Sequence, residues 1–291
     1  MKILIIGAQG QLGKALYDIF KRKYNVIIKT RQQMDITNDE LVSNEIIKIK
    51  PDYIFNAAAY TDVEKAETDR DSALNINAIA LKHITKASRE IGAILFHFST
   101  DYVFDGNKTE AYKETDVAVP INFYGETKLI GEENVRKGMD KYFIIRTSWL
   151  FSERGTNFAK KIIKQGMENK SLSIVTDQYS SPTYVLDLAS AVERMVQHIN
   201  NGKKFEYGTY HYGGLPYTNW NGFAKKIIEI AKRENILSED VKVKEILSSE
   251  LDSMAKRPSN SRLDCSKIKR IFGIEQKNWN EALDHIIFNL K

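Results

Sequence analysis

Short apolar runs alternate with longer amphipathic stretches through the first half of the chain. The runs are short enough for buried strands, and they lie at residues 2–6, 25–29, 52–56, 93–98 and 142–146. Apolar residues at helical spacing lie between and after them, at residues 11–22, 39–50, 73–91 and 124–138. Such alternation is typical of βαβ units, in which helices cover both faces of a parallel sheet. The first half therefore predicts an α/β domain with a doubly wound parallel sheet.

The pattern becomes less regular after about residue 150. Helical spacing returns at residues 157–169, 185–200, 221–234 and 279–290. The last stretch places apolar side chains on one face, namely Trp279, Leu283, Ile286, Ile287 and Leu290. Turn-forming residues at 177–183 and 212–220 separate the helical stretches. These features predict a second, smaller domain.

The change of pattern also sets the expected domain boundaries. We expect a first domain at residues 1–150, to which the chain returns at about 181–213. Residues 151–180 and 214–291 would then form a smaller mixed α/β domain toward the C-terminus. We expect this second domain to bind the substrate.

The composition is that of an ordinary globular chain, since 42% of its 291 residues are apolar and 28% are charged. No apolar run approaches the roughly 20 residues needed to cross a bilayer, and the run at residues 2–6 is too short for a signal peptide. Cys265 is the single cysteine, so no intrachain disulfide can form and an oxidising compartment gains no support. We therefore expect a cytoplasmic protein with no membrane partner.

The distribution of charged residues and histidines argues against two further classes of protein. The five histidines are scattered without the spacing of metal ligands, so no metal site is predicted. The net charge is +5, and the lysines are spread along the chain. This favours solvated helix faces over a nucleic-acid stripe, and no nucleic-acid partner is expected. A mild positive field would also suit an anionic substrate.

Gly7, Gly10 and Gly13 lie directly after the first predicted strand and directly before a helix. In this context glycines allow a tight turn and a close approach of the backbone to a pyrophosphate. The helix that follows presents its partial positive charge to the phosphates. The three glycines therefore predict a dinucleotide site in a Rossmann-like domain, with a purely structural turn as the alternative.

The end of the second predicted strand bears on which dinucleotide binds. Sites for NAD usually place an acidic side chain there, where it binds the ribose hydroxyls. Here the strand ends in Lys29, Thr30 and Arg31, and the first acid is Asp35. A cation at this position can pair with a 2′-phosphate, which favours NADPH over NADH. The alternative is that Lys29 and Arg31 are merely solvated, so NADH stays open.

Tyr124 and Lys128 lie four residues apart and share one face of a predicted helix. A phenol ordinarily keeps its proton up to a pH of about 10, and a fixed ammonium nearby stabilises the phenolate and lowers that pKa. A hydroxyl from Ser99 or Thr100, at the end of the fourth predicted strand, could complete the site. A tyrosine and a lysine at this spacing also occur by chance. Together with the glycine turn upstream, however, the pair predicts a hydride-transfer site.

Seven stretches together carry a resemblance to one family. The spacing of the glycines and the tyrosine–lysine pair resemble the extended short-chain dehydrogenases/reductases. Over essentially its whole length, the chain is similar to the dTDP-4-dehydrorhamnose reductases. The stretches are GAQGQLG (7–13), NAAAYTDVEKAE (56–67), STDYVFDG (99–106), YGETK (124–128), RTSWLF (146–151), DQYSSPT (177–183) and RPSNSRLD (257–264).

This resemblance implies an NAD(P)H-dependent oxidoreductase that reduces the C4 ketone of dTDP-4-dehydro-L-rhamnose to dTDP-L-rhamnose, the last step of dTDP-rhamnose biosynthesis. It implies Tyr124 as the proton donor, Lys128 as its partner at the nicotinamide ribose, and Thr100 as the group that orients the reacting oxygen. The cofactor-binding residues that it implies are Gly7, Gly10, Gln11, Leu12 and Gly13 at the pyrophosphate, Asp35 and Ile36 at the adenine, and Ala58, Ala59, Tyr60 and Thr61 along the nicotinamide side, in addition to Tyr124 and Lys128.

The substrate-binding residues implied by the resemblance are Thr100, Asp101, Trp149 and Arg257. Trp149 would pack on the sugar ring, because an indole offers an apolar face with a polar edge. Arg257 would clamp the diphosphate, because a guanidinium binds phosphate oxygens bidentately. The alternatives are that Trp149 belongs to the core and that Arg257 is a surface residue.

One departure from the family pattern concerns magnesium. Some members dimerise around this ion through an acidic side chain in the helix after the glycine turn. Here Lys14 and Ala15 occupy that stretch, and the first carboxylate is Asp18. We therefore expect metal-independent activity and a monomer or weak homodimer.

Two other functions stay open on the sequence alone. Another sugar-nucleotide reductase or epimerase of the superfamily would use the same groups, although an epimerase consumes no NAD(P)H. A non-catalytic, NADP-binding regulatory subunit could share the fold, but it need not retain Tyr124, Lys128 and Thr100 together.

Overall fold

The computed structural model describes residues 1–289. Leu290, predicted on the apolar face of the last helix, lies outside the described residues. The strands are β1 (Lys2–Ile6), β2 (Asn25–Lys29), β3 (Tyr53–Asn56), β4 (Ile94–Thr100), β5 (Tyr142–Thr147), β6 (Leu150–Phe151), β7 (Ser171–Val175), β8 (Tyr179–Ser180), β9 (Thr183–Tyr184), β10 (Gly208–His211), β11 (Thr218–Asn219) and β12 (Lys242–Ile246). The α-helices are α1 (Gln11–Phe20), α2 (Asp39–Ile49), α3 (Val63–Ala66), α4 (Arg70–Leu74), α5 (Ala80–Glu90), α6 (Phe123–Gly138), α7 (Phe158–Glu168), α8 (Val185–Asn200), α9 (Trp220–Arg233), α10 (Ser266–Phe272) and α11 (Trp279–Phe288).

Six strands form one parallel sheet in the order β2–β1–β3–β4–β5–β10. The chain runs from β1 outward to β2 and then crosses to β3 on the other side of β1. The carboxyl ends of β1 and β3 therefore flank the point where the winding reverses, which is where doubly wound sheets bind ligands. The predicted α/β fold with its parallel sheet is confirmed.

Successive residues of the strands enter two cores, one on each face of the sheet. Ile3 and Ile5 of β1 pack in a core that includes α1 and α8. Leu4 and Ile6 pack in a core that includes α2 and α5. A strand that is covered on both faces needs apolar side chains at every position, which explains its continuous apolar run in the sequence.

A third core lies in the smaller unit, where α7, α9 and α11 pack with β7. Phe223 and Leu283 are fully buried in it. The strand pairs of this unit are short, and they join segments that are far apart in the chain, as when β7 pairs in parallel with β12. This long-range pairing accounts for the less regular sequence pattern after about residue 150.

The predicted helix at 73–91 is interrupted by a single π-helical turn at residues 75–79. Asn77 in this turn is buried. Its amide oxygen accepts a hydrogen bond from Tyr60 N, and its Nδ2 donates to Tyr60 O and to Thr127 Oγ1. The wider turn thus lets one amide join the segment after β3 to α6.

The structure departs from the expected domain boundaries in one segment. Residues 214–291 were all expected in the smaller domain, yet Ile268 and Phe272 of α10 pack in the same core as α1 and α8. The apolar face of α10 covers the sheet beside β10, which leaves α9 and α11 as the C-terminal helices of the smaller unit. α8 and β10 lie on the large sheet, within the expected return of the chain.

Candidate active site

The glycine turn joins β1 to α1 where the winding of the sheet reverses. Gly7 has a φ of +79°, and a Cβ built on it would lie 2.5 Å from the backbone nitrogen of Ala58. A Cβ on Gly13 would lie 2.3 Å from the carbonyl oxygen of Gly7. Neither position admits a side chain, because the obstructing atoms belong to the backbone. The bare turn fits a dinucleotide, since it leaves the N-terminus of α1 open to a pyrophosphate.

A cavity of about 210 Å³ lies beside the turn, at the carboxyl ends of β1, β2 and β3. Predicted cofactor-binding residues that line it are Gly7, Gly10, Arg31, Asp35, Ile36, Ala58 and Ala59. Met34 and Ile76 line it as well and were not predicted. Met34 could have been found, because an apolar residue next to Asp35 suits an adenine ring.

The charged side chains near this cavity differ in whether another side chain of the protein already pairs with them. Arg31 lines the cavity, whereas the ammonium of Lys29 is paired with the carboxylate of Glu45 at 2.5 Å. Asp35 accepts hydrogen bonds from the backbone nitrogen and the hydroxyl of Thr37, which lower its pKa. Of the two cations considered for a 2′-phosphate, Arg31 is therefore the one in a suitable place.

Three predicted cofactor residues present their side chains elsewhere. Leu12 is buried in the core of the sheet, so only its backbone could face a pyrophosphate. The hydroxyl of Tyr60 donates a 3.1 Å hydrogen bond to Asp69. Thr61 is exposed, and it does not line the cavity beside the glycine turn.

Gln11 joins the glycine turn to the smaller unit. Its side-chain oxygen accepts hydrogen bonds from the hydroxyl of Ser152 at 2.7 Å and from Nδ2 of Asn157 at 3.0 Å. Asn157 also caps α7 through the backbone nitrogen of Lys160. The side chain of Gln11 therefore serves as a bridge between the two units.

Thr100, Tyr124 and Lys128 are brought together at the end of β4. Tyr124 and Lys128 lie on the first turns of α6, which Asn122 caps by accepting a hydrogen bond from the backbone nitrogen of Gly125. The Thr100 hydroxyl lies close enough to the phenol of Tyr124 to act on its pKa. Lys128 is buried, and its ammonium donates a 2.7 Å hydrogen bond to the carbonyl oxygen of Phe98. This is the predicted catalytic group.

The pKa of Tyr124 does not follow the sequence-based expectation. Burial raises it to about 12, the interaction with the Thr100 hydroxyl opposes that rise only in part, and the charge of Asp101 adds to it. Burial also lowers the pKa of Lys128 to about 8, against the field of Glu132. The expected lowering by Lys128 is therefore not found in this structure: the groups that act on the Tyr124 pKa are its burial, Thr100 and Asp101.

Asp101 follows Thr100 and is buried beneath the site. Its carboxylate accepts hydrogen bonds from Thr100 Oγ1 at 3.1 Å, from Ser180 Oγ at 3.1 Å and from Ser261 Oγ. Burial raises its pKa to about 6, although the three hydroxyls oppose this. The resemblance implies that Asp101 contacts the substrate and tunes the tyrosine. In this structure Asp101 is buried next to Thr100, and its charge raises the pKa of Tyr124.

Ser99, the other candidate hydroxyl, points to the opposite side. Its Oγ donates a 2.6 Å hydrogen bond to Glu132, which is fully buried. Arg146 donates to both oxygens of the same carboxylate, at 2.9 and 2.7 Å. Burial alone would raise the pKa of Glu132, but Arg146 holds it well below its ordinary value. Ser99 thus belongs to the support of α6, and Thr100 is the hydroxyl that faces Tyr124.

A second cleft, of about 580 Å³, lies between the two units. Residues of both units line it, including Glu64, Tyr102, Phe158, Lys161, Trp220 and Arg257. The ring of Tyr102 meets that of Tyr124 edge to face, with centroids 6.1 Å apart. The cleft therefore begins next to the predicted catalytic group. Arg257, whose predicted role is to bind a diphosphate, lines this cleft.

Trp149 is stacked face to face on Trp220, with ring centroids 3.6 Å apart. Its backbone has a φ of +45°, an uncommon conformation for a bulky residue. Trp220 and Phe158 line the cleft instead, and their rings are 4.4 Å apart. One face of Trp149 is therefore covered, and Trp220 offers the larger aromatic surface to a ligand. No role for Trp220 was predicted from the sequence.

The described residues hold no group of three or more histidine, cysteine, aspartate or glutamate side chains arranged to bind a metal ion. Asp18, the first carboxylate after the glycine turn, is paired with Lys21 and Arg154. Among residues 1–289, none of the helices has the length and apolar character that a membrane span requires.

Comparison with known proteins assigns the chain to a family. The family model described as the RmlD substrate binding domain matches residues 1–291. The dTDP-4-dehydrorhamnose reductase of Aggregatibacter actinomycetemcomitans is 38% identical over 287 residues, which are 98% of this chain and 98% of that protein.

Two solved structures support the same family assignment. The dTDP-4-dehydrorhamnose reductase of Clostridium acetobutylicum is 37% identical, with a TM-score of 0.92 over 100% of this chain and 99% of that one. The enzyme of the same name from Bacillus anthracis, in complex with NADP, is 37% identical, with a TM-score of 0.91 over 99% of both chains.

These matches extend over the sheet with its glycine turn and over the smaller unit with its cleft. Similarity confined to the sheet would have shown a dinucleotide-binding fold alone. By sequence and by structure, the chain belongs to the dTDP-4-dehydrorhamnose reductase family.

Proposed function

We propose that this chain reduces the C4 ketone of dTDP-4-dehydro-L-rhamnose with NADPH and forms dTDP-L-rhamnose, the last step of dTDP-rhamnose biosynthesis. One observation carries the proposal. Thr100, Tyr124 and Lys128 lie together at the end of β4. Tyr102, whose ring meets that of Tyr124, lines the cleft that holds Arg257. Ala59 lines the cavity beside the glycine turn, and the next residue, Tyr60, packs against the same apolar cluster as Tyr124. A cofactor in the first space and a nucleotide sugar in the second would meet at Tyr124.

The cofactor would lie with its pyrophosphate on the turn that contains Gly7, Gly10 and Gly13 and with its adenine near Asp35 and Ile36. Its nicotinamide side would run along Ala58 and Ala59 toward Tyr124. When bound, NADPH supplies a hydride for C4.

Tyr124 supplies the proton that the C4 oxygen needs. Burial keeps the pKa of the phenol at about 12, so Tyr124 is protonated at neutral pH. The single proton of the Thr100 hydroxyl lies toward Asp101 in this structure. Once Tyr124 has given up its proton, this hydroxyl can turn toward the phenolate and stabilise it. Lys128 is still charged below a pH of about 8, and its ammonium would stabilise the negative charge that forms on Tyr124 during the reaction.

The substrate would extend from Tyr124 into the cleft between the units. Its diphosphate would meet Arg257, and its base or sugar would pack on the aromatic surface of Trp220 and Phe158. Trp149 would act through its stack on Trp220 and through its remaining exposed edge.

We propose NADPH over NADH as the cofactor, because Arg31 lines the cavity at the end of β2. The relative from Bacillus anthracis is in complex with NADP. The Michaelis constants for the two cofactors test this preference. Replacement of Arg31 by Ala should raise the constant for NADPH and leave that for NADH unchanged. A clear preference for NADH in the unmodified chain would contradict it.

We also propose that the protein works in the cytoplasm without metal, membrane or nucleic acid, as a monomer or weak homodimer. The ion pairs of Asp18 support the metal-independent part, since they neutralise the first carboxylate after the glycine turn. Loss of activity in EDTA that magnesium restores would contradict that part. Light scattering over a range of concentrations measures the assembly state.

The decisive experiment is NADPH oxidation with freshly generated dTDP-4-dehydro-L-rhamnose, followed by identification of the product. Oxidation that forms dTDP-L-rhamnose supports the proposal. Conversion of a nucleotide sugar without net consumption of NADPH would indicate an epimerase. Binding of NADPH with no turnover of any deoxysugar nucleotide would indicate a regulatory subunit.

A further inference from the structure

Glu64 makes a group of contacts that the proposed chemistry does not use. It lies in α3, shortly after the segment that lines the cofactor cavity. Its carboxylate accepts hydrogen bonds from Ser253 Oγ at 2.6 Å, from Met254 N at 3.0 Å and from the guanidinium of Arg257. Ala255 N lies at 3.4 Å from the same carboxylate. One side chain of the larger unit therefore holds an irregular segment, residues 253–257, of the smaller unit.

Arg257 is fixed from more than one side. Its Nη1 donates a 2.7 Å hydrogen bond to Ser253 Oγ, and Nη2 donates to Glu64. Its guanidinium also interacts with Tyr102, whose ring touches that of Tyr124. The guanidinium is thereby set at the boundary between the cleft and the catalytic group.

The remaining capacity of Arg257 suits an anion. A guanidinium has five N–H donors, and the contacts with Ser253 and Glu64 use only part of them. Lys161 lines the same cleft, so two cations face a ligand there, together with Glu64 and Asp252. A guanidinium whose position is already fixed loses less conformational entropy when a diphosphate binds.

We propose that Glu64 is a positioning residue for the nucleotide diphosphate: it sets Arg257 and the 253–257 segment in the binding geometry before substrate arrives. This inference rests on the proposed function for the identity of the ligand. It assigns Glu64 no contact with the substrate, because its carboxylate acts through Arg257.

The test uses the full chain and measures the binding of dTDP by calorimetry. Glu64→Gln keeps the shape of the side chain and removes its charge, and we expect roughly tenfold weaker binding of dTDP. Hydrogen exchange at the amides of Met254 and Ala255 should become faster. Glu229→Gln, which removes a carboxylate from an exposed ion pair with Lys226, is the matched control and should change neither quantity.

A double-mutant cycle with Arg257→Gln separates positioning from a direct effect. If Glu64 acts through Arg257, then Glu64→Gln should cause no further loss in the Arg257→Gln background. In turnover assays, Glu64→Gln should raise the KM for the nucleotide sugar, with kcat and the KM for NADPH nearly unchanged.

Equal effects of Glu64→Gln in both backgrounds would overturn the inference, as would unchanged binding of dTDP. Tighter binding would overturn it as well, since it would mean that Glu64 competes with the diphosphate for Arg257. Because dTDP binding needs no turnover, a chain that binds dTDP but does not reduce dTDP-4-dehydro-L-rhamnose would contradict the proposed function alone.

Discussion

The ammonium of Lys128 donates a 2.7 Å hydrogen bond to the carbonyl oxygen of Phe98, so a charge carried by α6 is fixed at the end of β4. This contact is buried, and burial lowers the pKa of Lys128 to about 8. Tyr124, one turn earlier, has its pKa raised to about 12. The two groups therefore change charge at well separated pH values, and the lysine does so first.

Turnover should fall as the pH rises through about 8. Lys128 loses its charge there and no longer stabilises the tyrosinate, while Tyr124 still holds its proton. The dependence of kcat on pH with both substrates saturating measures this. Lys128→Met should lower kcat and remove the alkaline limb, whereas Lys137→Met, at an exposed position of the same helix, should change neither. An alkaline limb that persists in Lys128→Met would assign it to another group.

Tyr124→Phe should reduce kcat by roughly 10²-fold or more, because the C4 oxygen then lacks its proton donor. The dissociation constant for NADPH should change little, since the glycine turn is untouched. Stopped-flow turnover and cofactor titration measure the two quantities. Tyr142→Phe, at the start of β5 and away from both binding spaces, serves as the control. Near-normal turnover in Tyr124→Phe would refute the role assigned to this tyrosine.

Glu132→Gln should destabilise the fold by about 3–5 kcal/mol, because it leaves the buried guanidinium of Arg146 without its charge partner. Urea denaturation measures the loss. Glu133→Gln, the next residue of α6, removes only an exposed ion pair with Lys137 and should cost about 0–1 kcal/mol. A cost below about 1 kcal/mol for Glu132→Gln would show that Arg146 finds another partner or water.

Two glycines of the same turn should respond differently to alanine. In Gly13→Ala the new Cβ would lie 2.3 Å from Gly7 O and 2.8 Å from the Cα of Ala8, so we expect a loss of about 1–3 kcal/mol in stability. In Gly10→Ala the nearest atom lies at 3.4 Å, so the fold should persist while NADPH binds more weakly. Thermal unfolding and cofactor titration separate the two effects. Equal melting temperatures for both variants would contradict the close packing at Gly13.

The larger unit could be predicted from the sequence because its signals are local. A strand covered on both faces needs an unbroken apolar run, and β1, which has such a run, has the predicted bounds. The edge strand β2 has its predicted bounds as well. The three glycines predict a tight turn because they lack side chains. The spacing of Tyr124 and Lys128 is enough to place them on one face of a helix. Each of these features depends on residues close to one another in the chain.

The smaller unit could not be predicted in the same detail, because its contacts are distant in sequence. β7 finds its partner β12 about seventy residues later, as the register Ser171 with Lys242 requires. Trp220 lines the cleft with Trp149 stacked on its ring, and this contact joins residues that are far apart in the sequence. The charge partner of Glu64 lies nearly two hundred residues away, in Arg257. The raised pKa of Tyr124 likewise depends on burial, which the helix spacing does not encode.

The bridge that Gln11 forms has a kinetic consequence. The side chain that follows the glycine turn holds Ser152 and Asn157, and Asn157 starts the helix whose first residue, Phe158, lines the cleft. A dinucleotide that binds at the glycine turn would therefore also order the part of the cleft that Phe158 lines, where the sugar nucleotide binds. We expect ordered addition, with the dinucleotide first, and Gln11→Ala should shift the mechanism toward random order. Product-inhibition patterns distinguish the two schemes.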